Sequence, residues 1–166
     1  MTQPEQPLPT SRDEVARLLR SYHELDYANR ELGADALAEV VDAFVNDLNG
    51  VGTVTSSINL RNTGLTDALL ARLADALASN TCVKTVLFRN NSISDVGAQH
   101  LCQALMQNQH LLSLHLGNCL IADPGALAVA NMLQSNSTLQ ELLLSCNAIT
   151  GGWVRVCVCV FVFGCM

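Results

Sequence analysis

The sequence predicts an α/β solenoid, with a curved inner parallel β-sheet, outer α-helices and about five repeats behind an N-terminal helical cap. The first observation behind this is an internal repeat. Segments 83–93, 111–121 and 139–149 superimpose at a shift of 28 residues without a gap, aligning Val83 with Leu111 and Leu139, and Asn91 with Cys119 and Asn147. A fixed period of this length decides the architecture before local propensity does. The second is a change of period inside each unit. Val86 and Phe88, Leu114 and Leu116, and Leu142 and Leu144 alternate as in a strand, and the apolar residues that follow recur at helical spacing.

A helix is expected over 11–21, where Ser11 and Glu14 spell a capping box ahead of Val15, Leu18 and Leu19. It reads as a cap, because a terminal repeat must shield a core that internal repeats shield for one another. The first repeat, 22–54, is degenerate: Leu25 and Tyr27 hold the strand slots, and its spacing to the next unit is 33, absorbed near Asn49–Gly52. Repeats 55–82, 83–110 and 111–138 follow, with Leu69 standing in the first where Gly97 stands in the second. Pro124 falls in the first turn of a helix, where a missing N–H costs nothing. Asn80, Asn108 and Asn136 close three helices at equivalent places and are expected as left-handed C-caps. A partial repeat, 139–152, ends the array.

The shared pattern is LxxLxLxx(N/C)xL. It resembles the leucine-rich repeat, in the 28-residue class of ribonuclease inhibitors and the receptor ends of NOD-like proteins. The resemblance implies that Asn91, Cys119 and Asn147 bridge backbone groups of neighbouring turns, while Thr63 and Arg30 depart from the pattern. It also implies a protein partner bound on the concave face. The side chains alternating with the buried positions would line that face: Glu24 and Asp26, Asn59 and Arg61, Thr85, Leu87 and Arg89, Ser113 and His115, Glu141 and Leu143. Arg61 and Arg89 share a slot in adjacent repeats, a pairing that either holds an anion bidentately or forms a solvated pattern with Glu24 and Asp26. Leu87 and Leu143 are expected to face solvent.

Composition narrows the function class. The hydrophobic content of 49% excludes disorder as a whole, and the net charge of −6 disfavours nucleic acid. Residues 1–10 lack the basic and apolar regions of a secretory signal and read as a Pro-rich tail. The seven cysteines are therefore expected as free thiols in a cytoplasmic protein. Ser113 and His115 lie close in sequence without an acidic orienter that would make a triad. His23, His100 and His110 read as surface residues, and no metal, cofactor, membrane or small-molecule motif is found. The chain is expected to be noncatalytic. Rival readings are a GTPase-activating or enzyme-inhibiting regulator of the same repeat class, and a truncated product without independent function.

Residues 153–166 break the frame. Alternating Val and Cys from Val156 to Val160 is the translation of a GTGTGT run, so this tail reads as translated intron or an alternative terminal exon. Ten apolar residues are too few to span a bilayer, and Cys157, Cys159 and Cys165 lack the spacing of a closed zinc site. The stretch is β-prone and uncharged apart from Arg155, able to add a strand but not the missing helix. The underside of Leu142 and Leu144 is then expected to be poorly covered, and the chain to be of low stability. Sequenced cDNA across the codons for Ile149–Met166 should continue into further repeats in most transcripts; uniform termination at Met166 would assign the tail to the protein itself.

Overall fold

The computed structural model describes residues 12–30, 33–50, 52–150 and 160–161. The expected tail at 1–10, the cap residue Ser11 and all of 153–166 except 160–161 lie outside the described residues. Helices and strands alternate as α1 (Arg12–Ser21), β1 (Glu24–Asp26), α2 (Ala34–Asp47), β2 (Ser57–Asn59), α3 (Asp67–Ala78), β3 (Thr85–Leu87), α4 (Asp95–Leu105), β4 (Ser113–His115), α5 (Asp123–Ser135), β5 (Glu141–Leu143) and β6 (Val160–Phe161). The strands form one sheet in chain order. β1 to β5 are parallel, and β6 lies antiparallel on β5, pairing Val160 with Leu142.

Strand register repeats the sequence period. Glu24 pairs with Ser57 across the long first unit, and Ser57, Thr85, Ser113 and Glu141 then follow one another at 28-residue steps. The central residues Leu25, Ile58, Val86, Leu114 and Leu142 are all buried beneath the sheet. They meet the inward stripes of the helices, such as Leu70, Leu73 and Leu77 of α3 and Leu101 and Leu105 of α4. Strands of three residues alone cannot hold a sheet, so stability comes from this shared core. At the N-terminal end, Val15, Leu18 and Leu19 of α1 join it, and the Leu19 carbonyl accepts from Val54 N, Thr55 N and Thr55 Oγ1. In the degenerate first repeat Arg30 places its guanidinium 5.7 Å from the Tyr27 ring centroid. Burial pushes the Tyr27 phenol up to about 12, against a smaller opposing effect of Arg30 and a further upward push from Glu14.

Three sets of side chains join successive coils. Asn91 accepts from Thr63 N (3.2 Å) and Leu65 N (2.9 Å) and donates to the carbonyls of Leu60 and Phe88. Asn147 repeats this with Cys119 N, Ile121 N, Leu116 O and Leu144 O. Between them Cys119 makes only long sulfur contacts, 3.7 Å to Phe88 O and 3.8 Å to Gly117 O, and Thr63 reaches only Leu60 O. The second set corrects the expectation for Asn80, Asn108 and Asn136. None is left-handed; Asn136 has φ −94 and ψ 113. Each is instead a buried bridge, Asn108 donating to Leu77 O and Asn80 O while accepting from His110 N and Leu111 N. Left-handed backbone falls one residue before the ninth position, at Asn29, Asn62, Asn90, Asn118 and Cys146.

The third set explains a glycine. Asp95 opens α4 and accepts from Ala122 N and Gly125 N at the start of α5. A Cβ on Gly125 would stand 2.5 Å from Asp95 Oδ1, so the carboxylate can cap the next helix only where no side chain intervenes. Gly97 stands in the same relation to Asp67. At Leu69 the side chain packs against the core instead.

Cover of the last repeat also differs from expectation. Leu142 and Leu144 are only 2% and 4% exposed. Ile149 packs on the same core, Thr150 donates from N and Oγ1 to Asp123, and β6 occupies the outer edge of β5. The loop after β5 thus supplies cover that a helix was expected to provide.

Two stability outcomes follow from these contacts. Asn108→Ala removes the carboxamide that bonds Leu77 O, Asn80 O, His110 N and Leu111 N and should cost about 3 kcal/mol in urea unfolding, with an unchanged midpoint counting against the bridge. Cys146→Gly relieves a non-glycine residue at φ 59 and should raise stability by about 1 kcal/mol in the same measurement.

Candidate functional site

In-phase pairing of β1 to β5 sorts the residues that alternate with the core into rows on the opposite face. One row runs Glu24, Ser57, Thr85, Ser113, Glu141, and the next Asp26, Asn59, Leu87, His115, Leu143. Pairing continues past the strands, since Asn29 N, Asn62 N, Asn90 N and Asn118 N donate to the carbonyls of Arg61, Arg89, Gly117 and Ser145. A third row therefore holds Ala28, Arg61, Arg89, Gly117 and Ser145. Glu24, Asp26, Arg61 and Arg89 are exposed, and most of the remainder are half-buried.

Leu87 and Leu143 are half-buried rather than open to solvent, each standing beside its row neighbours in register. The large apolar side chains that stand out most are elsewhere: Val96, Leu120 and Leu127 are 55%, 62% and 59% exposed. They sit on α4, in the loop before α5 and on α5 respectively, outside the strand rows of the concave face.

The structure also supplies the acid that sequence reasoning did not place beside Ser113 and His115. Ser113 Oγ donates to Glu141 Oε2 at 2.7 Å, and His115 Nε2 lies 3.2 Å from Ser113 Oγ and 3.3 Å from Glu141 Oε2. Ser113 and Glu141 are register partners one repeat apart, so stacking the rows is the signal that finds them. The hydrogen bond from Ser113, then that from His115, hold the Glu141 carboxyl below its ordinary range, with burial opposing and the His115 charge assisting.

This grouping is not a triad. A relay needs serine and acid on opposite nitrogens of the imidazole, whereas here both approach Nε2. With the Ser113 O–H directed at the Glu141 carboxylate, Nε2 satisfies the two oxygens only when it carries a proton, the state in which it cannot take one from serine. The cluster braces β4 against β5 and presents a polar surface.

Other reactive groups are dispersed. Cys82, Cys102, Cys119 and Cys146 are free thiols in separate repeats. Burial pushes Cys102 up to about 12 and also raises Cys119, with the Asn91 and Ile93 amides opposing, so both are neutral and unreactive at neutral pH. His23 and His100 are exposed, and His110 is half-buried. Among the described residues, no group of three or more His, Cys, Asp or Glu is placed to hold a metal ion. No described helix is long and apolar enough to cross a membrane.

A parallel sheet of repeating coils, bridged by asparagines at recurring positions, is matched by comparison. The family described as Leucine Rich repeat matches residues 107–130 and 135–152. The fold is a leucine-rich-repeat solenoid. Among solved structures, leiomodin-1 actin-binding site 2 superimposes with a TM-score of 0.70 at 20% identity, covering 89% of this chain and 83% of that one. The tropomodulin C-terminal domain of Caenorhabditis elegans gives 0.72 at 13% identity, with 90% and 89% covered. No curated protein matches in sequence.

The Glu141 cluster has a measurable pH signature. A carboxyl that ionises more readily in the folded chain contributes stability fully present above its unfolded range and lost as pH falls through the lowered folded value. Ser113→Ala removes the largest cause, so the Glu141 carboxyl should titrate at higher pH by NMR; an unshifted curve would exclude the 2.7 Å bond.

Proposed function

We propose that this chain is a noncatalytic protein-interaction module of the 28-residue ribonuclease-inhibitor type, which binds a protein partner through its concave face. One observation supports this above the others. Five strands paired in phase set charged, hydroxyl and half-buried apolar side chains side by side on one surface, from Glu24 and Asp26 to Glu141 and Leu143. Mixed character of this kind, with apolar anchors inside a polar rim, is the anatomy of a protein interface. Leu87 and Leu143 are the anchors, with Thr85, Asn59 and His115 around Leu87. The free thiols suit a reducing compartment and favour a cytoplasmic location.

The leiomodin-1 domain whose fold this chain shares is an actin-binding site, so purified actin is the first defined protein to try. The general test does not need the partner's name. A photo-crosslinking residue at Leu87 on β3 should capture protein from a cytoplasmic extract, and the same residue at exposed Gln99 on α4 should not. Capture should fall about tenfold in Leu143→Glu. Equal capture from both faces, or capture from Gln99 alone, would overturn the concave reading.

A further inference from the structure

We propose that Arg61 and Arg89 form a two-pronged receptor for the carboxylates of an acidic segment on the protein partner. This rests on the concave-face reading above and adds the chemistry of what that face recognises.

The two arginines are neighbours by register. Asn59 pairs with Leu87, and Asn62 N donates to Arg89 O at 3.0 Å, so the main chains stay side by side through Arg61 and Arg89. Adjacent strands lie about 4.8 Å apart, which roots two guanidiniums within reach of one anionic group. Like charges directly opposite on a sheet destabilise it unless something neutralises them. Arg72 pairs with Asp42 and His115 with Glu141, whereas among the described residues neither concave arginine takes part in an ion pair. The nearest acid along the rows is Asp26, whose Oδ1 accepts from Ala28 N at 2.8 Å.

The row runs from Ala28 through Arg61 and Arg89 to Gly117. On the Gly117 side the surface is closed, since a Cβ there would stand 3.1 Å from Ser145 Oγ and 3.6 Å from Cγ of the Arg89 stem, so an anion reaches the forks from the exposed face and from the Ala28 side, where the neighbour carries only a methyl group. Leu87 supplies a half-buried apolar surface beside the forks. Two exposed, planar, permanently charged donors are suited to bidentate carboxylate recognition.

The surrounding charges decide the source of the anion. Glu24 and Asp26 on β1 and Glu141 on β5 bracket the arginines, and the whole chain carries −6. A long polyanion such as nucleic acid would meet repulsion at either edge of the sheet. A short acidic stretch of a folded partner, two or three carboxylates wide, would not.

The test follows the Arg61 and Arg89 side-chain N–H signals by NMR during titration with blocked hexaglutamate, blocked hexaglutamine, inorganic phosphate and a single-stranded oligonucleotide. Hexaglutamate should shift both signals saturably and hexaglutamine should not. Arg61→Gln and Arg89→Gln should each weaken binding by about threefold to fivefold, with Arg→Lys falling between because it keeps the charge and loses the fork. Raising salt from about 50 mM to about 500 mM should abolish most of the shift. Unchanged backbone spectra of these surface variants would show that folding is intact. The proposal fails if hexaglutamine shifts the signals equally, if phosphate or the oligonucleotide binds more tightly than hexaglutamate, or if Arg17, Arg20 and Arg72 respond as strongly. Such a failure leaves crosslinking at Leu87 unaffected, whereas absence of that crosslinking removes the concave reading itself.

Discussion

Every coil of this solenoid turns two corners inside its own core, and the backbone groups at those corners must find partners where neither sheet nor helix supplies them. A buried N–H or C=O without a partner costs about 1 to 3 kcal/mol, so a stack of coils is viable only if the corners are satisfied repeat after repeat. Carboxamides do this because one asparagine side chain accepts and donates at once. Asn91 and Asn147 serve the corner after the strand, and Asn80, Asn108 and Asn136 the corner after the helix. The apolar core is thick enough to exclude water only because these positions remove the need for it.

Departures from the ladder mark where the array is weaker. Cys119 sits between two intact asparagine positions and offers a thiol at sulfur distances, so β4 is held more by packing and by the Ser113 to Glu141 contact than by its own corner. Asp67, Asp95 and Asp123 form a further tie, each capping the start of the following unit. For Asp67 and Asp95 that tie and the glycine requirement are one constraint: the carboxylate takes the volume that a Cβ on Gly97 or Gly125 would fill.

The repeat frame was readable because the period is fixed and the core positions are apolar. Strand register, helix order and the row membership of Glu24, Arg61, His115 and Leu143 all follow from counting along it. What sequence reasoning missed has a common cause. Asn80, Asn108 and Asn136 were assigned by a local rule for helix ends, whereas their role depends on carbonyls one repeat away. The approach of Glu141 to Ser113 and the burial of Leu142 likewise arise between coils. Single-chain periodicity says which residues face inward; it does not say which atoms of the next coil they meet.

The asparagine bridges give the array a quantised grammar. Each reaches back one coil to carbonyls in a fixed slot, as Asn136 does to Leu105 and Asn108. Removing residues 111–138 as a block would bring Leu139 N to the Oδ1 of Asn108 and Thr150 to Asp95, reproducing contacts now made by Leu111 and Ala122. Removing a single residue from the same stretch would put all three ties out of step together. Among the regular coils, variation in length is therefore tolerated in whole repeats, while the first unit, with Glu24 and Ser57 33 residues apart, takes its extra length outside these ties.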